Sequence, residues 1–286
     1  MIERLCIIGV GLIGGSLARA LREAGYCSTV IGAGRNPENL RLAVELGVID
    51  SYETDLGRAV AGADMVLVAV PLGAMEPVFG AIRESLADGA VLTDAGSAKV
   101  SVINAARRAF GELPANFVPG HPIAGIEQSG VAASLPGLYR NRRVILTPLP
   151  ETSTAATRQV RAMWEAAGAE VVAMDPVHHD EVLAATSHLP HVLAFTLVES
   201  LARLHDKAEI FEYAAGGFRD FTRIASSDPV MWRDICLANG DAIQQMIERF
   251  IGDLQALDAA VEARDGVRLL KIFTDAKAAR DRSVHE

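Results

Sequence analysis

The first half of the chain alternates short apolar segments with stretches of helical periodicity. Each apolar segment is nearly continuous, which is typical of strands that are buried on both faces of a parallel sheet. Helical patterns separate several of these segments, for example over 37–46 and 74–86. Residues 1–174 are therefore predicted to form a doubly wound α/β domain with a parallel sheet. The predicted strands are Leu5–Ile8, Thr29–Gly32, Met65–Val70, Val91–Thr93, Asn116–Val118, Val144–Leu146 and Glu170–Met174.

After Met174 the apolar pattern becomes helical throughout. The pairs Asp175-Pro176 and Asp228-Pro229 are each typical of a helix start, with an acidic cap followed by proline at the first helical position. Residues 175–286 are therefore predicted to form an all-helical domain. Because helices this apolar leave little polar surface for solvent, we expect this domain to form a homodimer.

The junction between the first predicted strand and the first helix carries a Gly-x-Gly-x-x-Gly motif that begins at Gly9. A strand before this motif and a helix after it are the context of a dinucleotide-binding turn in a Rossmann-type domain. Gly9 would permit the tight turn, Gly11 the approach of a pyrophosphate, and Gly14 the packing of helix on strand. The first residues of the helix, Leu12 and Ile13, would offer free N–H groups to the phosphates. An ordinary glycine-rich turn is the alternative.

The tip of the second predicted strand bears on the choice of dinucleotide. An acidic residue usually stands there in proteins that bind NAD, because its carboxylate binds the ribose 2′-hydroxyl. Here the strand is followed by Gly34 and Arg35, with no carboxylate between them and the strand. A guanidinium at this place suits a 2′-phosphate. The sequence thus favours NADP; NAD, with Arg35 as a solvated loop cation, is the alternative.

Three predicted strands carry candidate site residues at their carboxyl ends, where open α/β sheets bind ligands. Val70 and Pro71 end one strand and are expected to line the nicotinamide side. Ser97 lies in the turn after the next strand, over the cofactor. His121 stands between a glycine and a proline, and an imidazole in such a rigid, apolar turn suits a proton acceptor near neutral pH. A loop imidazole bonded to backbone is the alternative for His121.

The helical half begins with several histidines. We interpret the segment 178–180 as a solvated helix start rather than as part of a site. His188 and His191 lie near one helix face, and Pro190 interrupts the helical hydrogen bonding between them. Two histidines could bind a metal, but no third or fourth ligand stands nearby, so the sequence favours a packed pair and predicts no metal site.

Two cations stand further along the helical half. Arg219 and Arg223 are one helical turn apart in a segment that is otherwise largely apolar. Such arginines either bind a ligand that bears a carboxylate or pair with acids such as Asp220 and Glu212. The residues alone do not separate these two roles.

Composition narrows the classes of function. Half of the 286 residues are apolar and the net charge is −9, and because no basic stretch offsets this charge we expect no nucleic-acid partner. The cysteines stand far apart, which predicts reduced thiols rather than disulfides. We also expect a cytoplasmic protein without a membrane partner, since no cleavable leader and no apolar run of membrane-spanning length is evident.

Taken together and in this order, the motifs resemble those of the prephenate/arogenate (cyclohexadienyl) dehydrogenase family over nearly the whole chain. The segments that carry the resemblance are Gly-Val-Gly-Leu-Ile-Gly-Gly-Ser at 9–16, Asp-Ala-Gly-Ser at 94–97, Gly-His-Pro-Ile-Ala-Gly at 120–125, Ser-His-Leu-Pro-His at 187–191 and Gly-Phe-Arg-Asp-Phe-Thr-Arg-Ile-Ala at 217–225. The resemblance implies a dinucleotide-binding domain followed by a helical dimerisation domain. Because the chain ends soon after the helical pattern, we expect no further regulatory or mutase domain. The missing acid after the second strand departs from the family pattern and puts a preference for NAD in doubt.

The resemblance also implies an activity, the oxidative decarboxylation of prephenate or arogenate in tyrosine biosynthesis. Hydride would pass from the ring carbon that bears the 4-hydroxyl to the nicotinamide, while the ring carboxylate leaves as carbon dioxide. His121 would accept the hydroxyl proton, and Ser97 would hydrogen-bond the same hydroxyl and orient the cofactor. Arg223 would bind a substrate carboxylate. His191, the third catalytic position, would sit against the substrate from the helical side. His188 and Arg219 are the further substrate-binding positions, and a solvent-facing role is the alternative for Arg219.

Two other interpretations stay open. Another NADP-linked dehydrogenase with the same two-domain plan, of the β-hydroxyacid dehydrogenase or imine reductase type, commonly relies on a catalytic lysine in a long helix between its domains. The first lysine of the helical half is Lys207, which disfavours this class. A non-catalytic nucleotide-binding dimer would bind the cofactor without turnover and would not depend on His121.

Overall fold

The computed structural model describes residues 1–204 and 211–284. The chain divides into two compact units, residues 1–240 and 241–286. Lys207, the first lysine of the helical half, lies outside the described residues.

A six-stranded, fully parallel sheet with the order β3-β2-β1-β4-β5-β6 forms the centre of the first unit. Its order reverses between β1 and β4, and in such folds the crevice at this reversal is where ligands bind. Five of these strands were predicted, and the fold class is confirmed; the short β3 was missed. The strands are β1 Ile2–Ile8, β2 Cys27–Ala33, β3 Ser51–Glu53, β4 Met65–Val68, β5 Val91–Asp94 and β6 Phe117–Val118.

Helices cover both faces of this sheet. Alternate residues of β1 show this directly, because Leu5 and Ile7 belong to one apolar cluster and Cys6 and Ile8 to another. A strand that is buried on both faces has a continuous apolar sequence, and for this reason these strands could be predicted from the sequence. The helices of this region are α1 Leu12–Glu23, α2 Pro37–Glu45, α3 Leu56–Val60, α4 Met75–Ile82, α5 Lys99–Phe110 and α6 Thr154–Ala166.

The last two predicted strands do form, but they do not extend the main sheet. They are β8 Arg143–Leu146 and β9 Glu170–Ala173, and they belong to a separate three-stranded sheet with β7 Gly120–Pro122. β7 runs antiparallel to β8. It follows β6 after Pro119, which has no N–H to continue a ladder, and the chain leaves the main sheet there. The expected turn around His121 is therefore a short strand.

Residues 176–204 and 211–284 are mainly helical, as predicted for this part of the chain. Both predicted helix caps are present. The Asp175 carboxylate accepts hydrogen bonds from the Val177 and His178 N–H groups, and the Asp228 carboxylate accepts one from the Met231 N–H group. The helices are α7 Pro176–Leu183, α8 Leu189–Ala202, α9 Gly216–Thr222, α10 Pro229–Ala238, α11 Gly240–Glu262 and α12 Gly266–Val284.

A single π-helical turn, Ala184–His188, joins α7 to α8. Together they form a helical stretch of 27 residues, 176–202, whose length and hydropathy are those of a membrane-spanning helix. It is not the continuous apolar run whose absence was expected, because charged and polar residues interrupt its sequence. Core helices of soluble proteins pass the same test, and this stretch holds buried polar residues, His179, Asp180 and His188, that bond to other parts of the chain.

The second unit consists of α11 and α12, which are joined by a turn in which Arg264 adopts a φ of 49°. Both helices carry large apolar side chains that are exposed in the single chain. They are Ile251, Leu254, Val261, Val267, Leu270, Ile272 and Phe273.

Candidate active site

The glycine turn, residues 9–14, runs from the end of β1 into the first turn of α1, at the point where the strand order reverses. Gly9 has a φ of +95°, and a Cβ atom there would lie 2.3 Å from the Ala69 carbonyl oxygen. A Cβ atom at Gly14 would lie 2.5 Å from the Gly9 carbonyl oxygen and 2.7 Å from Cγ2 of Ile7. Both positions therefore need glycine so that α1 can pack closely against the strands.

Gly11 differs from its two neighbours in the motif. A Cβ atom there would meet nothing within 4 Å. Gly11 caps α1 without a side-chain hydrogen bond, so the first N–H groups of the helix, those of Leu12 and Ile13, have no side-chain acceptor. Open space beside unpartnered N–H groups at a helix start fits the pyrophosphate of a dinucleotide.

The tip of β2 carries a free cation. Arg35 is exposed, and no described residue forms a hydrogen bond or an ion pair with it. Glu53 lies beside Ala33 in the register of β2 and β3, but its carboxylate accepts from the N–H groups of Thr54 and Asp55. Asn39 donates to the Val10 carbonyl oxygen at 2.9 Å, which ties the helix after Arg35 to the glycine turn.

A buried ion pair fixes two of the predicted site segments to each other. Lys99 Nζ lies 2.5 Å from Asp94 Oδ2, and both side chains are fully buried. Asp94 accepts from the N–H groups of Gly96 and Gly120, and Lys99 Nζ donates to the Gly120 carbonyl oxygen. One carboxylate thus holds the turn that carries Ser97, which is half-buried, and the strand that carries His121. Burial lowers the pKa of Lys99, and the Asp94 carboxylate opposes this shift.

His121 is 8% exposed and lies on β7. Its Nδ1 is 2.9 Å from Nε2 of His179. Burial lowers the pKa of His121 well below its usual range, and the neighbouring His179, Lys99 and His188 lower it further. A neutral imidazole results, as a proton acceptor requires.

The contact with His179 corrects the interpretation of 178–180 as a solvated helix start. His178 is exposed, but His179 and Asp180 are buried. Nδ1 of His179 lies 2.8 Å from Oδ1 of Asp180, and the Asp180 carboxylate accepts from the Lys99 and Val100 N–H groups at the start of α5. The first turn of α7 packs against α5 through these bonds, so only its His178 side reaches solvent.

His188 and His191 contact the aromatic side chain of Trp232. His188 is buried, its Nδ1 lies 3.1 Å from Nδ2 of Asn239, and burial lowers its pKa to about 4. The rings of His191 and Trp232 stack at 3.9 Å, and His191 Nδ1 donates to the Ser187 carbonyl oxygen. Within residues 1–204 and 211–284, no group of three or more His, Cys, Asp or Glu side chains could hold a metal ion.

Arg223 pairs with an acid, although not with one of those expected. Its guanidinium forms an ion pair with Glu127, in the loop that follows His121, rather than with Asp220 or Glu212. The pair connects the His121 loop to the turn that follows α9. Arg219 is exposed, and the described part of the chain gives it no ion pair.

The remaining predicted residues lie at the end of β4. Val70 is half-buried, and Pro71 is exposed. Cγ1 of Val70 comes within 3.1 Å of the place where a Cβ atom of Gly9 would stand. The segment therefore lines the glycine turn on the β4 side.

Comparison with known proteins assigns the chain to a family. Residues 17–173 match the family model described as prephenate dehydrogenase, nucleotide-binding domain, and residues 175–275 match prephenate dehydrogenase, dimerization domain. The chain belongs to the prephenate dehydrogenase family. It is 39% identical to the cyclohexadienyl dehydrogenase of Zymomonas mobilis, over 97% of this chain and 95% of that protein.

Two solved structures agree with this assignment. Prephenate dehydrogenase from Aquifex aeolicus, in complex with hydroxyphenyl propionate and NAD+, is 37% identical with a TM-score of 0.91, and the match covers 98% of each chain. Arogenate dehydrogenase from Synechocystis is 25% identical with a TM-score of 0.81, over 98% of this chain and 99% of that one. The resemblance drawn from the motifs is thereby confirmed.

Four buried residues of the site region were missed or left without a role in the sequence: Asp94, Lys99, His179 and Asp180. Asp94 and Lys99 flank Ser97 and could have been noticed as an ion pair across a tight turn. His179 and Asp180 offered no local signal, because an acid and histidines in a first helical turn are also typical of a solvated cap. Only their packing against α5 and β7 distinguishes them.

Proposed function

We propose that this protein catalyses the oxidative decarboxylation of prephenate, of arogenate, or of both, with NAD(P) as the hydride acceptor. Family membership over nearly the whole chain supports this reaction. The observation that carries it is a buried, neutral imidazole, His121, held in the strand that follows the sheet edge. The reaction needs such a base, because aromatisation and loss of carbon dioxide drive the chemistry once the hydroxyl proton is accepted.

In this proposal Nε2 of His121 accepts the proton of the 4-hydroxyl group as negative charge develops on its oxygen. Ser97 hydrogen-bonds the same hydroxyl. The Asp94–Lys99 pair holds both segments and excludes water from behind the base, since both charges are fully buried. When bound beside Val70 and Pro71, the nicotinamide supplies the acceptor for the hydride.

The helical half would supply the substrate side. Arg223 releases the Glu127 carboxylate and binds a substrate carboxylate in its place. Because the guanidinium is largely exposed, this exchange costs little free energy. His191 presents its Nε2, the nitrogen not bonded to the Ser187 carbonyl oxygen. His188 and His191 both contact the ring of Trp232, so His188 helps to hold His191 in place. Arg219 faces solvent and would lie at the edge of the substrate site.

The cofactor would bind along the glycine turn, with the pyrophosphate at Gly11, Leu12 and Ile13. A preference for NADP is supported by Arg35, which is free of partners among the described residues, and by a Glu53 carboxylate already bonded to its own backbone. A 2′-phosphate would give Arg35 a charge-assisted partner beside Gly34.

We further propose that the protein is a homodimer with a cytoplasmic location. Residues 1–174 would bind the dinucleotide, and residues 175–286 would bind the substrate and form the dimer. The exposed apolar side chains of α11 and α12 support the dimer, as does the match to a dimerisation domain. Three free thiols, of which Cys6 is buried with its pKa raised to about 12, fit a reducing compartment.

The test is the purified protein offered prephenate and arogenate, each with NAD+ and with NADP+, while reduced nicotinamide and carbon dioxide are followed. We expect both products in equal amounts with at least one substrate. Cofactor binding without turnover of either substrate would support the non-catalytic dimer instead. Turnover of a β-hydroxyacid without loss of carbon dioxide would support the other class of dehydrogenase.

A further inference from the structure

A continuous chain of hydrogen bonds runs from the start of α5 to His121. We call the three side chains His121, His179 and Asp180 the histidine chain. The Lys99 N–H donates to Asp180 Oδ1 at 2.7 Å, His179 Nδ1 lies 2.8 Å from the same oxygen, and His179 Nε2 lies 2.9 Å from His121 Nδ1. All three side chains are buried, so water does not replace these partners.

The protonation of each nitrogen follows from the carboxylate end. Both oxygens of the Asp180 carboxylate accept backbone N–H groups, so the carboxylate is also the acceptor in the bond with His179, and the hydrogen in that bond belongs to His179 Nδ1. A neutral His179 then has a lone pair at Nε2. This lone pair accepts the Nδ1–H of His121, which leaves the lone pair of His121 at Nε2.

Burial, rather than the neighbouring charges, favours the neutral form of His179. Burial lowers its pKa, and the ammonium of Lys99 lowers it as well, while Asp180 and Asp94 oppose the shift. His188 is a further titratable neighbour on the α7–α8 side and is itself held neutral by burial. A neutral His179 is the form that can accept a hydrogen bond from His121.

We propose that His179 is a positioning residue that, with Asp180, fixes His121 in the tautomer whose Nε2 is free to accept the substrate proton. This inference rests on the proposed function for its catalytic consequence, but its structural content stands apart from it. Without His179, the buried imidazole of His121 can carry its single hydrogen on either nitrogen, and only one of the two forms is a base toward the substrate.

The test uses two substitutions of His179 and one matched control. His179→Leu removes the acceptor, whereas His179→Gln keeps an amide oxygen where Nε2 stands. The control is His178→Leu, one residue earlier in the same helical turn but exposed. We expect kcat to fall by about 10–100-fold in His179→Leu, the loss typical of removing the orienting partner of an imidazole. His179→Gln should recover most of this loss and His178→Leu should show none, and KM and the cofactor Kd should change little throughout.

A second readout does not depend on turnover. Protein with ¹⁵N-labelled histidine, without cofactor and above pH 7, should show the Nδ1–H tautomer for His121, assigned by its loss in His121→Asn. In His179→Leu the Nε2–H tautomer should gain population. An unchanged tautomer and unchanged kcat in a folded His179→Leu protein would overturn the proposal. Equal losses of kcat in His179→Leu and His179→Gln, in proportion to the fall in melting temperature of each variant, would also overturn it.

The two proposals can fail separately. If the unaltered protein turns over neither prephenate nor arogenate, the proposed function is wrong, while the nitrogen spectra still decide whether His179 sets the tautomer. If the unaltered protein is active and the spectra show His121 with its hydrogen on Nε2, the positioning role of His179 is wrong and the proposed function stands.

Discussion

The glycine turn and the histidine chain lie in the same unit, but they are built in opposite ways. The glycine turn consists of consecutive residues, acts through backbone groups and carries no titratable side chain. The histidine chain joins residues 58 positions apart, acts through side chains and depends on buried charges. The proposed role of the glycine turn depends on the open space beside Gly11. The histidine chain instead depends on close packing between α5, α7 and β7, which leaves no space for water.

This difference decides how each region responds to change. A backbone site tolerates side-chain substitution around it but fails when a Cβ atom fills its space. A buried side-chain site fails when one partner is removed, because a polar group that stays behind loses its hydrogen bond in a dry environment. Substitutions in the two regions should therefore separate cofactor binding from catalysis.

The largest effect is expected from His121→Asn. The substitution removes the proposed base and leaves the glycine turn untouched, so kcat should fall by about 1,000-fold, within the range for loss of a general base. The cofactor Kd, measured by fluorescence titration with reduced nicotinamide, should stay within about twofold. Near-normal turnover of this variant at neutral pH would show that His121 is not the base.

The opposite outcome is expected from Gly11→Ala. Its φ of −108° suits alanine and a Cβ atom there meets nothing, so the melting temperature should not change. The Cβ atom would occupy the space expected for the pyrophosphate, and the Kd for the cofactor should rise by about 100-fold, or about 2.7 kcal/mol. Gly25→Ala is the matched control, because Gly25 also has open space but a φ of +61°. It should lower stability and leave the Kd unchanged; an unchanged Kd in Gly11→Ala would remove the pyrophosphate from this place.

The same contrast explains what the sequence could predict. Buried parallel strands are continuous apolar runs, and helix starts here use Asp-Pro, so β1, β2, β4 and both capped helices were legible from local pattern. β3, Ser51–Glu53, was missed because a three-residue edge strand with two exposed side chains has no apolar run. The second sheet was missed because pairing between β7 and β8 depends on where the chain leaves β6, which no local pattern encodes.

Within the candidate site, the prediction succeeded where a motif constrains the backbone and failed where two segments meet. Gly9 and Gly14 have the close contacts that the motif predicts. His179 was assigned to solvent because its neighbours in sequence are polar, whereas its neighbours in space are His121 and Asp180. For Arg223 the sequence left open a ligand carboxylate or a nearby acid, and the acid with which it pairs, Glu127, comes from the loop after His121.

Stability should depend on pH through the buried His188 and not through the glycine turn, which has no titratable side chain. The folded pKa of His188 is about 4, below its usual 6.5, so the unfolded chain takes up a proton in this range and the folded chain does not. Stability is therefore highest above pH 6.5 and falls as the pH drops toward 4. His188 alone should lower the free energy of unfolding by about 1–2 kcal/mol between pH 7 and 5.

Urea denaturation at several pH values measures this slope. His188→Gln should reduce the slope, and His178→Gln, which removes an exposed histidine, should leave it as it is. Equal slopes in the unaltered protein and the two variants would mean that His188 titrates alike in the folded and unfolded chains. The burial of His188 in the folded protein would then be contradicted.

The smallest effect is expected from Arg35→Ala, and it refines the comparison within the cofactor site itself. In the proposed cofactor site, the backbone of the glycine turn would contact the pyrophosphate that NAD and NADP share, so it could not distinguish them, whereas Arg35 would contact only the 2′-phosphate. The Kd for NADP+ should rise by about tenfold, or about 1.4 kcal/mol, and the Kd for NAD+ should stay nearly constant. Arg41→Ala, an exposed cation on α2 that pairs with Glu45, should change neither value. If Arg35→Ala weakens both cofactors equally, the guanidinium acts on the turn rather than on the phosphate. Selectivity would then have to come from the backbone after all.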